Sequence, residues 1–111
     1  MRVILNKYMK RYKVNLSDGA KQDFHESYDY MAGVSSDRRI SAYFVKGLND
    51  YIKEAPSHFP ARFPVYRNNV RKAVYTKNRN YIILFEIHEE TSEVFVLLIT
   101  NAKQYAKYHN I

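Results

Sequence analysis

Two stretches late in the sequence, Tyr81-Ile82-Ile83-Leu84-Phe85-Glu86-Ile87 and Val94-Phe95-Val96-Leu97-Leu98-Ile99-Thr100, are apolar at nearly every position, with only the polar turn His88 to Glu93 between them. Apolar runs of this length, rich in β-branched and aromatic side chains and bounded by polar turns, read as central strands covered on both faces. A third run, Val70-Arg71-Lys72-Ala73-Val74-Tyr75, precedes them across the turn-like Thr76-Lys77-Asn78-Arg79-Asn80. Turns this short make the three runs an antiparallel meander. Strands so apolar need other layers of the chain laid over them, and at 111 residues there is room for one domain to do so.

The preceding sequence supplies that layer. Tyr12-Lys13-Val14-Asn15-Leu16 alternates polar and apolar residues as a half-buried strand does. Ser17-Asp18 then offers a helix cap, helped by Asp18 and Asp23 near the positive end of the helix. Ala20, Phe24, Tyr28 and Met31 recur at helical spacing, so the pattern predicts an amphipathic helix over 18–32 with Gly33 as its C-terminal stop. Ser35, Ser36 and Asp37 supply the next cap. Ile40, Phe44, Leu48, Ile52 and Ala55 form the stripe of a second helix, ended by Pro56, and the short connection makes the two helices an antiparallel hairpin. All three prolines fall in 56–64, an ordered loop in which Phe59 and Phe63 call for burial. The expected fold is α+β: an N-terminal strand, a two-helix hairpin and a three-stranded antiparallel meander, joined in one mainly antiparallel sheet. Residues 1–9 stand outside it as an N-terminal extension.

Composition narrows the chemistry. The chain has no cysteine, which excludes disulfides, thiol nucleophiles and Cys-ligated zinc. No two histidines have ligand spacing and no glycine-rich phosphate loop is present, so neither a metal nor another cofactor is expected. No apolar run reaches the roughly 18–20 residues of a membrane span, and without a leader-like start the chain reads as cytoplasmic, with no membrane partner. The net charge of +7 is segregated. Residues 1–16 carry Arg2, Lys7, Lys10, Arg11 and Lys13 and no acid; between Glu54 and Glu86 come Arg62, Arg67, Arg71, Lys72, Lys77 and Arg79, again with no acid. A field of this kind suits a polyanionic target, an acidic protein partner, or both.

Several segments carry a family likeness. Tyr12-Lys13-Val14-Asn15-Leu16-Ser17, Ala20-Lys21-Gln22-Asp23-Phe24 and Tyr28-Asp29-Tyr30-Met31 resemble the opening of the RelE/ParE toxin superfamily, a strand ending in Leu-Ser followed by a helix with Ala-x-x-Asp-hydrophobic. Phe63 to Ala73 is similar to its segment entering the second strand, often Val-Arg-Arg-Ala, and the two apolar runs match its third and fourth strands. The likeness spans about residues 10–105, in the family's order and spacing. It implies a bacterial, cytoplasmic toxin of a type II toxin–antitoxin module, of the plasmid-stabilisation kind, that arrests growth unless a cognate antitoxin covers it. One branch blocks DNA gyrase; the other cuts mRNA in the ribosome. A homodimer is compatible with either.

Within that resemblance, ribonucleolytic relatives stabilise charge on a phosphate and move protons from a cluster on the sheet face. By position Arg71, Lys103 and Tyr105 are the candidate catalytic residues, and Arg67, Lys72, Lys77 and Arg79 the candidate nucleic-acid or target-binding ones. Arg71 and Lys72 are adjacent in a strand and point to opposite faces, Arg71 with Ala73 and Tyr75, Lys72 with Val70 and Val74. Where many relatives carry His-x-Arg after the last strand, this sequence has Asn101-Ala102-Lys103, and Asn is neither acid nor base. His109 sits near the terminus, His25 reads as a surface residue, His58 as part of the proline loop, and His88 as a turn residue. The absent His-x-Arg leans the expectation toward the gyrase-directed branch. A ribosome-dependent mRNA endoribonuclease and a non-catalytic nucleic-acid-binding or degenerate toxin domain are the alternatives. Of the 11 tyrosines, Tyr28, Tyr43, Tyr51 and Tyr81 are expected partly in the core, and Tyr66, Tyr75 and Tyr105 on the surface for stacking or partner contacts.

Overall fold

Tyr81 to Phe85 are five consecutive buried residues, so the strand they form is covered on both faces, as its unbroken apolar run requires. The computed structural model describes residues 10–34, 38–77 and 81–101. In chain order these form β1 (Lys13–Leu16), α1 (Asp18–Val34), α2 (Arg38–Glu54), a 3-10 turn (Pro60–Arg62), β2 (Val65–Arg67), β3 (Val70–Val74), β4 (Tyr81–His88) and β5 (Glu93–Asn101). One five-stranded sheet runs β1-β5-β4-β3-β2. Its pairs are antiparallel except β1 with β5, which run parallel from Lys13↔Glu93 to Leu16↔Val96. The expected α+β order is present, with β2 as a strand more. Three residues long and entered through Pro64, β2 is too short for a periodic signal; it is set by a hairpin with Asn68 at φ 52, a left-handed position that Asn tolerates.

The first helix is fixed to the last strand by its own N-terminus. β5 contains a bulge: Leu84 pairs with Leu98 and Phe85 with Val96, leaving Leu97 as the extra residue. β1 ends opposite Val96, so the outer backbone groups of β5 beyond that point have no strand to pair with. Ser17 supplies one set of partners: its N–H donates to the Val96 carbonyl at 2.9 Å and its hydroxyl to the Leu97 carbonyl at 3.3 Å. The same hydroxyl oxygen accepts the Ala20 N–H at 3.0 Å, which caps α1 as the Ser17-Asp18 pair predicts. One turn on, the Asp23 carboxylate accepts the Ile99 N–H at 3.1 Å.

The core lies between the helices and one sheet face, with Ala20, Leu48 and Ile52 against Ala73, Tyr75, Tyr81, Ile83, Phe85, Val94, Val96 and Ile99. Phe44 sits edge-on to Tyr75, ring centroids 6.2 Å apart, and Phe63 edge-on to Phe85 at 5.4 Å. Among the described residues no helix is long and apolar enough to cross a membrane. Several local expectations are corrected. Gly33 does not stop α1, which continues through it to Val34. Phe59 is 70% exposed and left-handed (φ 48), because the loop turns there into Pro60 and buries the proline instead. Tyr43 is 74% exposed whereas Tyr75 is 3% exposed, the reverse of the expectation: Tyr75 follows Ala73 on the core face of β3, and Tyr43 lies on the outer side of α2. The cap at 35–37 and the extension 1–9 lie outside the described residues.

The Asp23 contact has a pH signature. Burial pushes its carboxyl above the ordinary value, the Ile99 N–H opposes this, and nearby Glu26 adds to the rise. The folded chain therefore keeps this proton to higher pH than the unfolded chain, and the contribution to stability falls as pH climbs from the ordinary carboxylate range through the raised one. Asp23→Asn, which retains an acceptor, should flatten that part of a stability–pH curve measured by urea unfolding. Asp23→Ala should speed hydrogen exchange of the Ile99 amide about fivefold to tenfold, the equivalent of about 1 kcal/mol for one hydrogen bond; an unchanged amide would refute the link.

Candidate functional site

Adjacent cations on β3 part company, as strand alternation demands. Arg71 pairs with Phe85 on the core side, and its Nη1 donates to the Ala61 carbonyl at 3.0 Å and the Phe63 carbonyl at 2.9 Å. Its buried Nε has no hydrogen-bond partner among the described residues. The guanidinium thus staples the proline loop to the sheet, beside Arg62, which holds the other end through the His58 and Ala55 carbonyls.

Lys72 faces the other way, half-buried opposite Leu84, on the surface turned from the helices. Val70 precedes it on that face and pairs with both Arg67 and Glu86. Glu86 and His88, two apart on β4, share the face and are hydrogen-bonded, Nε2 to Oε1, with the His88 ring 4.7 Å from that of Phe95. The structure therefore brings Arg67 and Lys72 to one surface and adds a carboxylate–imidazole pair, of which Glu86 lies in the expected strand and His88 extends it by one residue into the expected turn. Its signal was there: His88 continues the period-2 pattern that places Glu86 in the run before it, but Glu89 and Glu90 make His88 read as a turn residue. Arg79, Lys103, Tyr105 and His109 lie outside the described residues. No three His, Asp or Glu side chains among the described residues gather as metal ligands.

Lys77 belongs elsewhere. It lies at the rim of a cavity of about 310 Å³ between the N-terminal half of α2 and the end of β3. Ile40, Tyr43, Phe44 and Gly47, at successive helical spacings, form its helix side, Tyr75 its floor, and the Lys46–Asp50 ion pair (3.0 Å) its edge. A Cβ on Gly47 would stand 2.6 Å from the Tyr75 hydroxyl, so the bare backbone makes the space for that oxygen. Burial, then the Asp50 carboxylate and Tyr43, push the Tyr75 hydroxyl above its ordinary pKa, so it stays protonated and able to donate.

No protein-family model matches the sequence, and no curated protein does. Solved structures do. A chain of the chromosomal ParDE TA system from P. aeruginosa superposes with a TM-score of 0.69 at 14% identity, over 82% of this chain and 96% of that one. A chain of the toxin-antitoxin complex RelBE2 from Mycobacterium tuberculosis superposes with a TM-score of 0.56 at 23% identity, over 84% and 93% respectively. These likenesses give the chain the fold that its resemblance to the RelE/ParE superfamily implied.

Two substitutions test the geometry. Arg71→Ala should lower unfolding stability by about 1–3 kcal/mol, because two loop carbonyls lose a charged donor, whereas Lys21→Ala, at an exposed position of α1, should change it by less than about 0.5 kcal/mol. Equal losses would mean that Arg71 does not hold the loop. Gly47→Ala, worth about 1 kcal/mol of added stability in an unhindered helix interior, should here give a lower Tm than the unmodified chain. Tyr75→Phe in the same background should recover most of the loss, and additive effects would remove the notch from the account.

Proposed function

We propose that this protein is the toxin of a type II toxin–antitoxin module, acting in the cytoplasm to arrest growth until a cognate antitoxin binds it. The observation that carries this reading is the fold shared with chains of the ParDE and RelBE2 systems, over more than four-fifths of this chain. The segregated cationic sequence supports it independently: a net charge of +7 suits an acidic antitoxin and a nucleic-acid-bearing target.

DNA gyrase is the favoured target. In this reading Asn101-Ala102-Lys103 stands in place of the histidine-containing pair of ribonucleolytic relatives, Arg71 supports the loop, and Arg67, Lys72, Lys77 and Arg79 supply contacts to the target. A second reading, the ribosome-dependent mRNA endonuclease, is favoured by one feature, the Glu86–His88 pair on the same face as Lys72. There the carboxylate would orient the imidazole as a general base toward a ribose 2′-hydroxyl while cations, with Lys103 and Tyr105 as further candidates, stabilise the phosphate.

Expression of the chain alone from a tight promoter should reduce colony counts, and co-expression of the product of the adjacent reading frame should restore them. Unchanged growth refutes the toxin reading. With arrest established, failing DNA supercoiling and intact messages mark gyrase. Discrete cuts in translated messages, abolished by His88→Ala, mark the nuclease.

A further inference from the structure

Phe59 is 70% exposed, and its backbone is left-handed at φ 48 and ψ 61. A bulky side chain at positive φ is uncommon, and the residue before a proline is ordinarily extended. Such strain persists only where the surroundings over-determine it, and it collects at functional sites. Here the surroundings are two arginines. Arg62 donates its backbone N–H to the Phe59 carbonyl at 3.0 Å, its Nε to the His58 carbonyl at 3.2 Å and its Nη2 to the Ala55 carbonyl at 3.3 Å. Arg71, from β3, holds the Ala61 and Phe63 carbonyls. Pro56 and Pro60 are fully buried on either side of Phe59 in sequence. The prolines and the paired donors fix the backbone, while the aromatic side chain between them faces solvent.

We propose that this proline loop is a stacking platform for an unpaired nucleobase of a single-stranded nucleic acid, with Phe59 as the ring that meets the base and Arg62 as its cationic neighbour. The inference goes beyond the toxin reading and does not depend on it. The occupant follows from the charges. The Arg62 guanidinium lies over the Phe63 ring, 4.1 Å from its centroid, and its two bonds to carbonyls hold the plane there. Arg62 is exposed, so the opposite face of that plane is open, and unpaired bases stack on guanidinium planes as they do on aromatic rings. Among the described residues Arg62 and Arg71 bond carbonyls and no carboxylate, which leaves two uncompensated positive charges at one loop. The nearest acid in sequence, Glu54, is already met by Arg11 at 3.2 Å and by the His58 imidazole at 3.3 Å. An aromatic ring beside uncompensated positive charge is the complement of a flat ring carried on an anion, and a nucleotide has that chemistry. A protein pocket for Phe59 would make no use of the charge.

Stacking needs a base free of its pair, so the partner is a single strand, a loop or a splayed end rather than a duplex. The platform is separate from Lys72, Glu86 and His88. Arg71 and Phe85 face the helix side of the sheet and hold the loop there, whereas Lys72 faces away. With the loop already fixed, binding orders little more than one ring, which keeps its entropic cost low.

The test uses the full chain and fluorescein-labelled probes of about a dozen nucleotides, of one mixed sequence, as single-stranded RNA, single-stranded DNA and duplex DNA. Dissociation constants are read by fluorescence anisotropy, with growth arrest followed in parallel. Single strands should bind more tightly than the duplex. Phe59→Gly is the decisive variant, because glycine takes the left-handed conformation without strain. It should leave Tm unchanged or higher while weakening single-strand binding by about fivefold or more. The salt dependence should stay the same, since the ring meets a base and no phosphate. Phe59→Trp should retain the affinity. In the unmodified chain the Phe59 ring protons should move upfield in NMR spectra as the strand is added. A preference for RNA or for DNA names the strand, and either supports the proposal. Affinity within twofold of the original in folded Phe59→Gly would overturn it. Equal binding of strand and duplex by the unmodified chain would do the same, since charge alone would then explain it. Loss of growth arrest in Phe59→Gly at unchanged nucleic-acid affinity would overturn it by giving the ring to a protein partner. If Phe59→Gly does not fold, the unmodified chain decides: ring protons that stay in place on binding refute the stacking. Failure of the toxin reading looks different, as a chain that binds the strand and leaves growth unchanged.

Discussion

The outer edge of β5 beyond Val96 is the constraint on which the arrangement turns. A nine-residue strand is flanked by a four-residue one, and the backbone left over must find partners without a further strand. The start of α1 provides them, Ser17 at the bulge and Asp23 at Ile99. A helix held at two points nearly two turns apart cannot rotate about its axis. Its stripe is thereby aimed at the sheet, α2 is laid beside it, and the cavity at the end of β3 takes its shape from that placement.

The basic residues show how little a linear charge pattern says about a surface. Contiguous in sequence, they are dispersed in space: Arg71 and Arg62 bind loop carbonyls, Arg67 and Lys72 lie on the sheet face away from the helices, and Lys77 rims the notch. The first two spend their donors on the backbone and serve the fold, and Arg71 does so because its neighbour Ala73 faces the core. The others spread positive charge over a wide area, an arrangement that favours fast encounter with an oppositely charged molecule over tight local pairing.

Much of this was legible in the sequence. Apolar runs located β4 and β5 within a residue or two, helical spacing located both helices, and alternation placed Arg71 and Lys72 on opposite faces. The failures have physical causes. β2 carries no period because three residues cannot show one. The left-handed turn at Phe59 reflects the hydrogen bonds of Arg62 and Arg71 to surrounding carbonyls, a tertiary demand that no local pattern encodes. Tyr43 and Tyr75 were exchanged because a tyrosine suits core and surface equally, and only the notch opened by Gly47 decides between them. The place of His88 in β4 was hidden by the two glutamates after it, which resemble a loop.

The parallel pairing of β1 with β5 carries a consequence for biosynthesis. β1 finds its partner, β5, some 80 positions later in the chain, and contacts so distant in sequence are slow to form. Until then the helical hairpin lacks the surface it is built to cover, so each nascent polypeptide spends most of its translation without a finished sheet.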